Sequence, residues 1–229
     1  MGYTKFGEDT TLDEARASCV YTVEPLLAYP HAAIYELAQP LDALVEKADA
    51  VEVAAKRSKR AVVRASARVR TWDGVGDDRL REFVKDLLGE VRQNRESSLF
   101  KAFFPMTPTE MVALTLAPEV EEIERMDGVF DTKDVSGSLK TTWREALAEV
   151  ATRGRAALAE RKAANQAVAE ASEEVTRWIE KADRLRRAID GQLTTWAAEE
   201  GLAPDFNDRF FPETTRPRKK KDAAPETPT

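Results

Sequence analysis

The chain has 229 residues, 42% hydrophobic and 33% charged, with a formal net charge of −6 and a pI near 5.2. That balance supports a buried core under a charged surface and supplies no global attraction to nucleic acid or an anionic membrane. A single cysteine, Cys19, excludes a disulfide framework, and a single histidine, His31, excludes zinc and the Glu-x-x-His pairs of helical di-metal sites.

Residues 1–10 are polar and are expected to be a flexible N-terminus. Thr11 and Glu14 have the spacing of a capping box, which predicts a helix over 12–28 ended by Tyr29-Pro30. A second helical segment starts near Pro30 and is kinked or restarted at Pro40. Beyond it, Leu41, Leu44, Ala48, Val51, Ala55, Ser58, Val62, Ala65, Val69 and Trp72 keep the three-four spacing of a coiled-coil seam. A helix over 41–72 would be about 48 Å long. Asp73-Gly74-Val75-Gly76 is expected to stop it, with Asp77 or Asp78 capping a separate helix over 78–94. Thr107-Pro108-Thr109-Glu110 predicts a short helix to Leu116, and Pro118 opens another that ends near Gly128. The Gly-, Asp- and Ser-rich stretch 128–137 is expected to be a linker. A second seam runs from Leu147 to Trp178, and a helix over 182–200 is expected to fold back along it. Residues 213–229 carry Arg216, Arg218, Lys219, Lys220 and Lys221 with no apolar face, and are expected to be a disordered basic tail.

The chain repeats itself. Ala61, Ala65, Val69 and Trp72 return 106 residues later as Ala167, Ala171, Val175 and Trp178. Asp78-Arg79-Leu80-Arg81 returns as Asp183-Arg184-Leu185-Arg186, and Phe103-Phe104-Pro105 as Phe210-Phe211-Pro212. No alternating strand pattern is present. The fold class expected is an all-α, up-and-down helical bundle built from an internal tandem duplication, with a long antiparallel coiled-coil-like helix pair. The repeats are placed at 11–127 and 138–212, packed as one domain.

Chemistry finds little purchase. Cys19 falls on the apolar side of the first helix and reads as a small buried hydrophobe. His31 reads as a surface or helix-start residue. Glu119, Glu121, Glu122 and Glu124 read as a solvated acidic face. No catalytic residue, metal or cofactor is expected. Two binding features stand out. Lys56, Arg57, Arg60, Arg64 and Arg68 form a basic helical stripe, which either pairs with Glu170, Glu173 and Glu174 of the second repeat or meets an anionic partner. Phe103, Phe104, Phe210 and Phe211 either plug the bundle ends or form exposed docking knobs. Both tryptophans, Trp72 and Trp178, are expected to be well buried at helix ends. The expected function is a non-catalytic scaffold or protein–protein interaction protein, cytoplasmic, with no membrane span, as a monomer or homodimer. The alternative is a nucleic-acid-associated protein using the 56–70 face and the basic tail.

Overall fold

A computed structural model describes residues 3–212; the expected 213–229 tail lies outside the described residues, whereas Tyr3 and Phe6, in the stretch expected to be flexible, pack against buried residues. Among the described residues there are seven α-helices, one 3-10 turn and no strand. In order they are α1 (Leu12–Ala28), α2 (Ala32–Val45), α3 (Ala48–Glu90), α4 (Ser98–Phe103), α5 (Pro108–Val112), α6 (Leu116–Thr132), α7 (Gly137–Glu199) and the 3-10 turn Phe206–Phe210. No helix is long and apolar enough to cross a membrane.

The start of the chain folds as its local signals dictate. The Thr11–Glu14 capping box opens α1, and Tyr29 closes it. Exposed His31 is the N-cap of α2, but α2 runs through Pro40 to Val45 and the helix expected over 41–72 is divided at Glu46-Lys47, so Leu41 and Leu44 belong to α2 and the rest of the seam to α3. The second capping box, Thr107 with Glu110, opens α5 as expected.

Three expected breaks do not occur. α3 passes through Asp73-Gly74-Val75-Gly76 as continuous helix to Glu90, so no separate 78–94 helix folds back. α7 is likewise unbroken over 63 residues, so no separate 182–200 helix exists. α6 passes through Gly128 to Thr132 and leaves a turn at 133–136. For α3 and α6 the reason is the same. A glycine inside a helix costs only about 1 kcal/mol. The residues beyond each one, such as Leu80, Phe83, Val129 and Phe130, are buried and repay that cost several times over. α6 ends at Lys133 in extended backbone, and the other two end where the backbone turns left-handed. Gly201 does so after α7 at φ 65°, while Arg92 and Gln93 do so after α3 at φ 50° and 63°.

The chain forms two compact units. Unit 1 holds the described residues up to Val53 and those from Glu173 onward; unit 2 is Ala54–Ser172. α3 and α7 each contribute to both. The core of unit 1 comes from α1, α2 and the ends of the long helices, with Leu26, Ile34, Leu41, Trp178, Leu193 and Phe210 buried together. The Trp178 indole donates a 3.0 Å hydrogen bond to the Leu44 carbonyl, so the polar end of a buried ring is satisfied. The core of unit 2 centres on Phe83, whose ring lies 5.0 Å from Phe103, 5.6 Å from Trp143 and 6.0 Å from Phe130. Trp72 packs against this core but is only half-buried, and neither tryptophan sits at a helix end.

Candidate functional site

Successive residues of a helix are rotated by about 100°, so seam positions and the positions between them take opposite faces. In α3 the seam residues Ala65 and Val69 are buried, and Ala55, Ser58 and Val62 are half-buried. Arg57, Arg60 and Arg64 fall on the outward face and are exposed, as is Lys59. Two apolar side chains share that side: Val53 is 63% exposed and Val63 70%.

The five basic residues of the predicted stripe divide on inspection. Arg68 is joined to Glu160 of α7 by an ion pair, and Lys56 is also engaged. Arg57, Arg60 and Arg64 have no ion pair among the described residues. Glu174 is bound to Arg177, one turn along its own helix. Arg68 of the stripe thus pairs with α7, through Glu160 rather than through Glu170, Glu173 or Glu174.

The phenylalanine elements are inside. Phe103, Phe104, Phe210 and Phe211 are all at most 4% exposed, so they plug their units and present no docking surface. Arg125 of α6 fixes the first element by donating to the Ala102 and Phe103 carbonyls at 2.7 and 2.5 Å. These are the free carbonyls at the end of α4, which a cation suits.

One residue reverses its expected role. Glu119 does not stand on a solvated face; it is fully buried, and neither carboxyl oxygen has a hydrogen-bond partner. Burial, together with the carboxylates of Asp77 and Asp73, pushes its carboxyl up to about 8, while Arg81 opposes the shift. The signal was available. Glu119 is in helical phase with Leu116, Ile123 and Met126, all buried, whereas Glu121, Glu122 and Glu124 are not. Unit 1 has a buried charge as well. Arg186 is 2% exposed and lies over the rings of Phe6 at 4.6 Å, Tyr3 at 5.5 Å and Phe211 at 5.6 Å. It also donates a 3.3 Å hydrogen bond to the Thr4 carbonyl.

Cys19 is buried as expected, and burial raises its thiol to about 12, which leaves it unreactive. A half-open groove of about 240 Å³ in unit 2 is bordered by Arg70, Arg161, Asp73 and Thr115, a lining of mixed charge. No known protein family, curated protein or solved structure matches the chain.

Proposed function

We propose that the chain is a non-catalytic helical scaffold that binds an acidic protein partner through the outward face of α3. The observation that carries this reading is the state of Arg57, Arg60 and Arg64: exposed, on one stripe, and without an ion pair. Bare Val53 and Val63 beside them support a protein partner, because arginine next to apolar surface is the composition of interface cores.

A second reading is duplex nucleic acid, favoured by the run from Lys56 to Arg70, which contains no acid. Titration of a random duplex against salt separates the two. Three phosphate contacts would give an affinity falling with salt at a log–log slope of about −3. No affinity at low salt removes the nucleic-acid reading. For the favoured one, extract from the native host is passed over wild type and over Arg57→Glu/Arg60→Glu/Arg64→Glu. An acidic protein retained by wild type and lost from the folded triple variant supports it; equal retention by both overturns it.

The scaffold itself we read as a duplicated hairpin with its long helices antiparallel. In support, α1 and α6 both have 17 residues and both start at Leu after a Thr N-cap. Their core-facing positions match as Leu12 with Leu116, Ala15 with Glu119, Cys19 with Ile123 and Leu26 with Phe130. Along the long helices the 106-residue spacing pairs Gly76 with Ala182, Leu80 with Arg186, Phe83 with Ile189 and Leu87 with Leu193, every one buried. On that register the Asp78–Arg81 and Asp183–Arg186 likeness is out of phase, since Arg81 is exposed where Arg186 is buried. The repeats then fall at 11–105 and 115–212, and each unit takes the front of one and the rear of the other. As residue number rises along α3 it falls in α7 and the turn before it: Arg68 meets Glu160, Asp86 meets Trp143, and Glu90 meets Ser136. Continuing that pairing sets Ala61 opposite its own repeat mate, Ala167. Ala61→Cys/Ala167→Cys should therefore oxidise to an intramolecular disulfide. Cysteines that stay reduced under mild oxidant would sink the antiparallel register.

A further inference from the structure

Unit 2 carries, between α6 and α3, an acid that the matching place in unit 1 does without. Glu119 points at Gly76 of α3, and a Cβ built at Gly76 would lie 2.9 Å from the carboxyl carbon. The missing side chain is what makes room for the acid. The matching residues in unit 1 are Ala15 and Ala182, both 0% exposed. Such a core closes with two alanines, so neither the acid nor the glycine is required for folding. A polar residue at a core position, with its own tailored space and no partner, breaks the local rule for folding, and such departures mark function.

We propose that the Glu119–Gly76 contact is a proton-operated latch, holding α6 closed on α3 while Glu119 carries its proton and releasing α6 when the proton leaves. The groups around it favour this sense. From α3, Asp73 and Asp77 flank Gly76, and burial also raises the Asp77 carboxyl. Arg81, the cation of α3 that acts on Glu119, is committed to Asp77 and Asp78. On α6 itself, Arg125 is held by Glu122. From α7, Arg155 is paired with Glu124, and Arg161 borders the groove beside Leu116. Of the charged groups that act on Glu119, two are carboxylates and the one cation, Arg81, is already paired, while Arg70 and Arg161 stand on the groove at the start of α6. The escape of an ionised Glu119 is into water, and α6 must part from α3 to allow it. The groove at the start of α6 lies where that parting would begin.

Hydrogen exchange of the full chain, followed by mass spectrometry and corrected for intrinsic rates, tests this directly. One proton lost on opening makes the open fraction of 116–132 grow about tenfold per pH unit between about pH 5.5 and 7.5, levelling above about 8. The 12–28 segment is the internal reference and should lack that slope. Glu119→Gln should flatten the α6 response to that of α1. Glu119→Ala/Gly76→Ala recreates the alanine pair of unit 1 and should stay closed at every pH. Gly76→Ala alone keeps the acid but removes its space, and should open α6 even at the acid end. An α6 slope no steeper than that of α1 overturns the latch, as does a slope that survives Glu119→Gln.

Discussion

The two units bury opposite charges, and they treat those charges differently. In unit 1, the N-terminal segment folds over Arg186. Three aromatic faces and a backbone carbonyl replace its water, and Phe6 donates its amide to neighbouring Asp183 at 3.0 Å. In unit 2, neither carboxyl oxygen of Glu119 has a hydrogen-bond partner, and nothing replaces its water. Burial moves both groups toward neutrality, the guanidinium downward and the carboxyl upward. Only the carboxyl is carried into the physiological range. Equal burial therefore gives a permanent structural cation in one unit and a titratable acid in the other. The difference lies in what each neighbour offers, not in depth.

The largest contrast to test concerns the two tryptophans. Trp178 is 3% exposed and hydrogen-bonded to Leu44, so Trp178→Ala should cost about 3–5 kcal/mol. Half-buried Trp72 should cost about half as much in the same denaturant titration. Equal losses would mean that the units bury their matched rings alike, and would erase the contrast.

Glu119 comes next. Its folded pKa of about 8 lies above the ordinary 4.5, so the folded state keeps a proton that the unfolded state releases. Stability is then full below about pH 4.5, falls as pH rises to about 8, and is level beyond. Against Glu119→Gln, which has no proton to lose, wild type should be weaker by about 3 kcal/mol at pH 7. The gap should close near pH 4.5. A gap that is constant with pH would assign the effect to packing and remove the acid's special status.

Much of this contrast was legible before any coordinates. α1 and α5 follow from their capping boxes, and the seam of α3 follows from its spacing. Those are local signals, and local chemistry executes them. The breaks at Gly76 and Gly128 were misread because a glycine's propensity is a local quantity, while the decision was made by residues packed from elsewhere, such as Leu116 and Phe130. Glu119 was grouped with its acidic neighbours by composition, although its phase along α6 sets it apart. The cage around Arg186 had no readable signal at all. It joins residues 3–6 to a position about 180 residues away, a contact that no pattern along the chain encodes.

A smaller contrast lies at the helix starts. Thr11 caps α1 through its side chain, and Thr115 opens α6 without a side-chain cap bond. Thr11→Ala should cost about 1 kcal/mol, and Thr115→Ala should cost a few tenths at most. Reversal of that order would place a cap on α6 and tie its N-terminus down where the latch requires it to move.

The smallest expected effect bears on the binding face. If Arg57, Arg60 and Arg64 serve the fold, reversing their charge should destabilise it, because each would then repel the acid it had attracted. If they are free, as their lack of ion pairs indicates, Arg57→Glu, Arg60→Glu and Arg64→Glu should each shift Tm by less than about 2 °C. Arg68→Glu is the internal control, since it sets two acids together at Glu160 and should lower Tm more than any of the three. The order matters more than the size, since an exposed ion pair adds little to stability. Should one of the three fall below Arg68→Glu, that arginine is holding the helices together, and the outward face of α3 shrinks to the residues that remain.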